Sequence, residues 1–496
     1  MNKISRQQYQ QLSKLCDQIL VDSQATKVTI AISWLHVIRW HPVHMSKYFR
    51  LFEYSIAKNI VWRTFQLLRS NAVSLLNIAR AIFKRDLPHG MDNLPSSDID
   101  ILFISHLLNS SFIGEDDDFY FGSIASELRP KKAIVALINH TKERDSVILS
   151  NWGGCITPRV VFRKLLSFQQ EFDIFLAQRK ERRRLKRYQL SHNSTLYSNI
   201  IKEAANHALS PETAGTLRFT KQVELLLIKV QPRYIITTFE GYGWERLVFA
   251  TAKEINPGIV CIGYQHSAIF QLQHSIFRNL LPSFNPDIIL TSGGVAKNQL
   301  EVAIHDKSIK IRVLGSKKKI NLIKTSHDLK KTKICLVTPE AFKTECNILF
   351  EFSLMCALAR PDIKFIWRLH PLMSFDDLIK DNLRFENIPD NVSMSNTTFE
   401  ADLLKSDYIL YRGSTAVVSA ISLGLIPIYL QKDNDLNIDP IYDCNCNRST
   451  AATVSDFEAA VELNHSNKTL KLLIKYGSEF YMPFNKDQLN ECLKTT

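Results

Sequence analysis

Short apolar segments recur along most of this chain, and they constrain its fold more than any other feature. The first three are DIDILFIS ending at Ser105, KAIVALI from Lys132 and SVILS from Ser146, each apolar at consecutive positions. Strands covered on both faces, as in a parallel sheet between layers of helices, have this continuous pattern. These segments therefore predict strands of an α/β fold.

The strand and helix segments fall into two series separated by a basic, polar stretch. RYIITTF, IVCIGYQ, PDIILTS and IKIRVLGS continue the first series, and KICLVTP, IKFIWRLHP, DYILYRGS and IPIYL form the second. We therefore expect two doubly wound, Rossmann-like domains that face each other across a cleft. The predicted division is a first domain over 1–315, a linker over 316–332, a second domain over 333–480 and a tail or cross-over segment over 481–496. The first hundred residues read mainly as extra helices, and 160–190 reads as one long helix.

Charge and cysteine usage limit the class of protein. The 62 Lys and Arg residues exceed the 49 Asp and Glu residues, and the resulting charge of +13 favours anionic partners. Nine cysteines without a CxxC pair fit a reducing cytosol better than a disulfide framework. The N-terminus lacks the apolar core of a signal peptide, and no apolar run approaches the roughly 20 residues of a spanning helix. We expect a cytoplasmic protein, at most peripheral on the inner face of the plasma membrane.

The most basic segment is RKERRRLKR, Arg179 to Arg187. It is either a solvated helix face or a contact with an anionic membrane or lipid-diphosphate acceptor. Nucleic acid is not an expected partner, because no aromatic interleaving or RNA-binding signature accompanies the run.

In doubly wound sheets, ligands bind beyond the carboxyl ends of the strands, so strand ends supply the candidate site residues. After IKFIW the rule selects three residues of one turn, and after DYILY it selects four that lead into a helix. These are Arg368, His370 and Pro371, and Arg412, Gly413, Ser414 and Thr415. A helix N-terminus preceded by glycine and hydroxyl side chains is suited to a phosphate, to which the turn histidine can add a donor.

In the first half the rule selects Glu240, which directly follows RYIITTF, and the flexible turn at Gly241. Glu245 lies five residues later, either as a second catalytic carboxylate or as a carboxylate that complements the helix dipole. Gln265 and His266 end the next strand and should lie beside Glu240. A carboxylate there can take a proton from an acceptor hydroxyl, and the histidine can orient it or share the transfer.

Other sequence motifs give weaker evidence about function. The acidic run from Glu115 to Asp118 contains a DxD pattern, but its position favours a solvated loop that caps a helix over a metal site. No GxGxxG or GxxxxGK[ST] motif appears, so a dinucleotide oxidoreductase or a P-loop ATPase is unsupported.

Four short motifs between about 233 and 430 resemble those of known families. RLHP (Arg368 to Pro371) resembles the HP motif of bacterial sialyltransferases and Kdo transferases, and RGST (Arg412 to Thr415) resembles their Ser-Thr motif. FEG (Phe239 to Gly241) is similar to their acidic-Gly motif, with Phe-Glu in place of two acidic residues. The run EGYGWERLVFA followed by GYQHS resembles bacterial surface-carbohydrate biosynthesis proteins of GT-B architecture. An HP motif with a Ser-rich turn also occurs in CDP-glycerol glycerophosphotransferases.

This resemblance implies a metal-independent GT-B glycosyltransferase without a cofactor, whose cosubstrate is a nucleotide sugar. If the matching residues have the same roles as in those families, His370, Ser414 and Thr415 stabilise the departing phosphate of a CMP donor. Glu240 then faces the sugar, with His266 beside it. The implied reaction moves an ulosonic acid, such as Kdo or a sialic-type sugar, onto a lipopolysaccharide, capsule or related glycan. Three alternatives remain open: a transferase that uses CDP-glycerol or an NDP-hexose, a sugar-nucleotide epimerase, and a non-catalytic glycan-assembly protein.

Overall fold

The computed structural model describes residues 4–36, 45, 48–49, 51–52, 56–94, 99–128, 131–152, 155–191, 195–318, 333–432, 436–446, 448–463 and 466–494. Within them, the strands form one sheet of seven and one of six, and all the pairings between strands are parallel. The predicted α/β class with two doubly wound sheets is confirmed.

The six strands of the second sheet have the same order as the first six strands of the first sheet. The first comprises β1 (Ile101–Leu107), β2 (Ala133–Asn139), β3 (Arg159–Val161), β4 (Tyr234–Thr238), β5 (Val260–Gln265), β6 (Ile288–Thr291) and β7 (Lys310–Val313), in the order β3-β2-β1-β4-β5-β6-β7. The second comprises β8 (Lys333–Thr338), β9 (Ile363–Trp367), β10 (Val392–Met394), β11 (Tyr408–Tyr411), β12 (Ile426–Leu430) and β13 (Ser449–Ala451), in the order β10-β9-β8-β11-β12-β13. The chain reverses its direction of winding between β1 and β4 and between β8 and β11, and such switch points are where ligand crevices open.

Helices cover the sheets and extend the first domain. They are α1 (Arg6–Leu20), α2 (Lys27–Ala31), α3 (Ile56–Arg80), α4 (Ile124–Glu127), α5 (Asp145–Asn151), α6 (Phe168–Leu190), α7 (Thr195–His207), α8 (Pro211–Val230), α9 (Gly243–Ile255), α10 (Gly294–Ala303), α11 (Lys343–Ala359), α12 (Phe375–Asp381), α13 (Phe399–Lys405), α14 (Ala416–Ser422), α15 (Val454–Glu462), α16 (Asn467–Phe480) and α17 (Lys486–Cys492). Apolar clusters lie on both faces of each sheet, and a further cluster joins α1, α2 and α7.

Two secondary-structure predictions were wrong. The segment SVILS is part of helix α5, because only Ile148 of its apolar residues is fully buried and a helix can turn the others outward. The long helix predicted over 160–190 is interrupted at its start, where β3 pairs with β2 before α6 begins. A strand of three residues is too short to show a period of two in the sequence.

The end of the chain returns to the first sheet. The Met482 N–H donates to the Ser292 carbonyl at 3.0 Å, and the Tyr234 hydroxyl donates to the Leu493 carbonyl at 2.6 Å. Leu489 and Leu493 are buried in the cluster that covers one face of that sheet. The chain thus crosses to the second sheet and back. Most of the predicted linker, residues 319–332, lies outside the described residues.

No helix in the described ranges has both the length and the apolarity needed to cross a membrane.

Candidate functional site

The turn after β4 presents Glu240 at the switch point of the first sheet. Its side chain is 21% exposed, whereas the preceding Phe239 is buried. Gly241 follows with φ +87°, and a Cβ there would lie 2.3 Å from the Ser275 carbonyl oxygen. The Ser275 hydroxyl in turn donates to the Glu240 carbonyl at 2.9 Å. Gly241 is therefore a residue of the turn itself, in a conformation that excludes a side chain.

Glu245 holds this turn from the first turn of α9. Its carboxylate accepts the N–H groups of Glu240 at 2.9 Å, Gly241 at 2.8 Å and Tyr242 at 2.8 Å. Burial, and then the charge of Glu240, raise the pKa of Glu245 well above its ordinary value, against these hydrogen bonds. Of the two alternatives left by the sequence, the structure places Glu245 as the helix-capping carboxylate that positions Glu240.

The end of β5 lies beside Glu240. His266 Nε2 is 3.9 Å from Glu240 Oε1, and the Ser267 hydroxyl donates to the same oxygen. Burial lowers the pKa of His266 to about 4, against the opposing effect of Glu240, so the ring is neutral at neutral pH. Gln265 is buried and its amide N–H donates to the Ser267 carbonyl, so it helps to shape the loop after β5; its predicted place on the acceptor or sugar side, which it shares with Gly241, stays a prediction.

Three further residues that the sequence did not single out join this group. His106 is the last residue but one of β1 and His140 follows β2, with His106 Nδ1 2.9 Å from His140 Nε2. The Tyr120 ring lies 4.2 Å from the His266 ring and 5.9 Å from the His106 ring. Burial lowers the pKa of His106 to about 3 and, with the charge of Glu240, raises that of Tyr120. The strand-end rule, extended to the first two strands, would have selected both histidines.

Asp118 of the acidic run holds Tyr120 in place. Its carboxylate accepts the Tyr120 N–H at 2.8 Å, the Phe121 N–H at 2.9 Å and the Ser105 hydroxyl at 2.8 Å. Asp118 is buried, which differs from the predicted solvated loop. The reason is that the run folds back against the end of β1 through Ser105.

In the second sheet, His370 follows β9 and is exposed. The Leu372 N–H donates to His370 Nδ1 at 3.2 Å, and the Met373 N–H donates to the His370 carbonyl at 2.9 Å. Because Nδ1 accepts, the neutral ring carries its proton on Nε2, which is then a donor for an incoming oxygen. The exposed Pro371 lies within this turn.

The turn after β11 differs in part from its prediction. Arg412 is buried and donates to Glu345 at 2.7 Å, and Arg368 donates to Asp402 at 2.7 Å and to the Thr397 carbonyl at 2.9 Å. Both arginines thus have carboxylate partners within the protein, and their role as phosphate ligands stays a prediction. A Cβ at Gly413 would lie 1.8 Å from Glu340 Oε1, so a side chain at this position would displace that carboxylate.

Two half-buried hydroxyl residues remain at this turn. Ser414 and Thr415 immediately precede α14, and Thr415, its N-cap residue, makes no side-chain cap hydrogen bond. Ser414 and Thr415 follow β11, and His370 follows β9, so all three are neutral donors at the carboxyl edge of the second sheet, with β8 between the two strands. The first sheet offers a carboxylate beside a neutral imidazole and a phenol. The donor set of the second sheet suits phosphate binding, and the group in the first sheet suits proton transfer at a hydroxyl.

No protein-family model matches the chain, and no curated protein matches its sequence. Among solved structures, it is similar to a putative UDP-N-acetylglucosamine 2-epimerase from Listeria monocytogenes, with a TM-score of 0.48 and 12% identity over 80% of this chain and 96% of the other. It is also similar to the glycosyltransferase SnogD from Streptomyces nogalater, with a TM-score of 0.42 and 13% identity over 80% and 99%. A third similar structure is the UDP-GlcNAc 2-epimerase from Methanocaldococcus jannaschii, with a TM-score of 0.44 and 12% identity over 80% of this chain and 100% of the other.

Proposed function

We propose that this protein is a glycosyltransferase that moves a sugar from a nucleotide-linked donor to a hydroxyl group of a glycan acceptor, without a metal ion. The observation that carries the proposal is Glu240 beside neutral His266 at the switch point of the first sheet. A carboxylate at this place, with hydrogen bonds to its backbone and to its side chain, is positioned for general-base catalysis.

The proposed reaction assigns one role to each sheet. Glu240 accepts the proton of the acceptor hydroxyl while that oxygen forms a bond to the anomeric carbon. The bond between the anomeric carbon and the phosphate oxygen breaks, and the nucleotide leaves with the electron pair. His370 Nε2–H and the hydroxyls of Ser414 and Thr415 donate to the departing phosphate and stabilise its growing charge. His266 contacts the sugar or the acceptor next to Glu240.

The donor class rests on the motif resemblance. RLHP and RGST favour a CMP-linked ulosonic acid, such as Kdo or a sialic-type sugar, and a bacterial surface glycan as acceptor. The positions of His370, Ser414 and Thr415 at two strand ends of one sheet are consistent with a shared phosphate site.

A thermal-shift panel with CMP, CDP, UDP, GDP and ADP in the presence of EDTA tests the nucleotide site. At about 100 times its dissociation constant, CMP should add roughly 2.7 kcal/mol of stability. His370→Ala should abolish the shift, and His305→Ala, at an exposed histidine of the first domain, should leave it intact. A shift with UDP, GDP or CDP alone would mean that the donor sugar carries that nucleotide and not CMP. The absence of a shift with any nucleotide would contradict the proposal.

Nucleotide release from CMP-Kdo or CMP-sialate in the presence of surface-glycan acceptors tests the chemistry. Glu240→Gln should keep the CMP shift and lose at least 100-fold in release, because general bases contribute about 10²–10⁴-fold. Glu301→Gln, at a carboxylate 48% exposed on α10, serves as the matched control. Conversion of a nucleotide sugar without any acceptor would instead identify an epimerase.

A further inference from the structure

The exposed side of α3 is apolar. Phe65, Leu68, Leu75 and Leu76 are 55%, 64%, 56% and 47% exposed, and Phe83, just beyond the helix, is 95% exposed. On a helix, such spacings place these side chains on the solvent side. Globular proteins seldom leave so many large apolar side chains together in water without a partner.

Helix α6 continues this surface. Phe168, Phe172 and Leu176 recur every four residues and are 48%, 41% and 47% exposed. α3 and α6 are antiparallel neighbours, since Arg179 donates to Asn71 Oδ1 at 2.7 Å and the Ser167 N–H donates to Asp86 Oδ1 at 2.7 Å. We call the exposed sides of residues 64–85 and 168–187 the α3–α6 surface.

The charges on this surface have one predominant sign. Residues 56–85 contain no Asp or Glu, and Arg69, Arg80, Lys84 and Arg85 are exposed. On α6 the apolar stripe passes into exposed basic residues at Lys180, Arg183, Lys186 and Arg187. Two exposed acids are near, Asp173 on α6 and Asp92, which lies 3.9 Å from Arg85.

We propose that the α3–α6 surface docks on an anionic lipid bilayer. Large apolar side chains flanked by Lys and Arg match the acyl boundary and the phosphate headgroups of such a membrane. The basic run from Arg179 to Arg187 contributes only its exposed members, because Arg184 is paired with Glu181 at 2.7 Å. The apolar stripe inserts beside them.

This placement also orients the proposed site. β3 is connected to α6 by 162–167, so the apolar end of α6 starts from the carboxyl edge of the first sheet. Glu240 and His266 follow strands at the same edge. Docking through the α3–α6 surface thus brings the edge with the candidate base towards lipid-linked molecules.

Vesicle flotation at 150 mM salt tests the proposal, with vesicles of neutral phosphatidylcholine and vesicles that also contain 30% phosphatidylglycerol. We expect at least tenfold tighter binding to the anionic vesicles. The variant Leu68→Gln, Leu76→Gln, Phe83→Gln should lose at least tenfold, and Arg183→Gln with Arg187→Gln should lose about fivefold per residue. The control Val302→Gln, Leu358→Gln, Leu383→Gln, at sites 80%, 68% and 68% exposed elsewhere, should bind as wild type.

Hydrogen exchange on vesicles should slow in residues 64–85 and 168–187. Equal binding by the apolar variant and the wild type would overturn the proposal. The proposal is also wrong if the wild type does not bind anionic vesicles and light scattering shows that it is a dimer. In that case the apolar variant should be a monomer. None of these readouts depends on the nucleotide or on transfer activity.

Discussion

At the residue scale, Gly241 holds the turn that carries Glu240. Its φ is +87°, and a Cβ at this position would lie only 2.3 Å from the Ser275 carbonyl oxygen, which leaves no room for a side chain. We expect Gly241→Ala to lower the free energy of unfolding by about 2 kcal/mol or more, because the turn must move. It should also reduce transferase activity, because Glu240 moves with the turn.

The matched control for this substitution is Gly215, which lies within α8 and has no atom within 4 Å of its Cβ position. Gly215→Ala should raise the free energy of unfolding by roughly 0.5–1 kcal/mol, since glycine is costly inside a helix. Urea denaturation of both variants measures the contrast, and a loss of similar size at both positions would contradict the argument.

The low pKa of His266 makes a second prediction at this scale. Burial holds the folded pKa at about 4, below the usual 6.5 of histidine, so the unfolded chain binds more protons between these values. His266 therefore adds stability that is complete above pH 6.5 and is lost as the pH falls towards 4. The difference in unfolding free energy between wild type and His266→Gln should change by up to about 1.4 kcal/mol per pH unit in this window.

Measuring that difference by urea denaturation between pH 4.5 and 7.5 cancels the contributions of the other titrating groups. A difference that does not vary with pH would mean that the ring is protonated or exposed in the folded protein. In that case His266 would not be the neutral ring beside Glu240 on which the proposed function rests.

At the element scale, Arg368 joins β9 to α13. It bonds Asp402 Oδ2 at 2.7 Å and Ser395 Oγ at 2.9 Å. Burial alone would raise the pKa of Asp402. The hydrogen bonds from Ser395, Thr397 and Arg368 have a larger combined effect, so the pKa lies below its ordinary value. We expect Arg368→Gln to cost about 3 kcal/mol of stability, because it leaves a buried carboxylate short of its partner.

Lys343, whose ion pair with Asp381 is exposed on both sides, supplies the comparison. Lys343→Gln should cost less than about 1 kcal/mol. Adding Asp402→Asn to Arg368→Gln should recover part of the loss. If Arg368→Gln were fully stable and only nucleotide binding fell, the residue would belong to the donor site, as its sequence position predicts.

At the scale of the whole molecule, the chain end stabilises the first sheet. Leu489 and Leu493 are each 1% exposed within the cluster that packs on β1 and β4. Leu489→Ala and Leu493→Ala should each cost about 2–5 kcal/mol, as for other large-to-small changes in a core. Leu472→Ala, at a side chain 45% exposed on α16, should cost under about 1 kcal/mol. If the urea midpoints of Leu489→Ala and Leu493→Ala were as close to the wild-type value as that of Leu472→Ala, the returning segment would not stabilise the first sheet.

The candidate site was predictable in part. Glu240 and His266 follow strongly apolar strands, so their neighbouring positions at one sheet edge could be derived from the strand-end rule. His106, Tyr120 and His140 were missed. Tyr120 belongs to the loop that Asp118 ties to Ser105, and no local pattern specifies that contact.

The amino-acid sequence by itself determined the fold class, because continuous apolar runs of strand length are buried only when helices cover both faces of a parallel sheet. It also determined which residues stand at strand ends. Only the tertiary structure decided which of these have charged partners within the protein. Arg368 and Arg412 have the right position and charge, but carboxylates 34 and 67 residues away neutralise them. Such pairings depend on how distant elements pack, which short-range patterns do not encode.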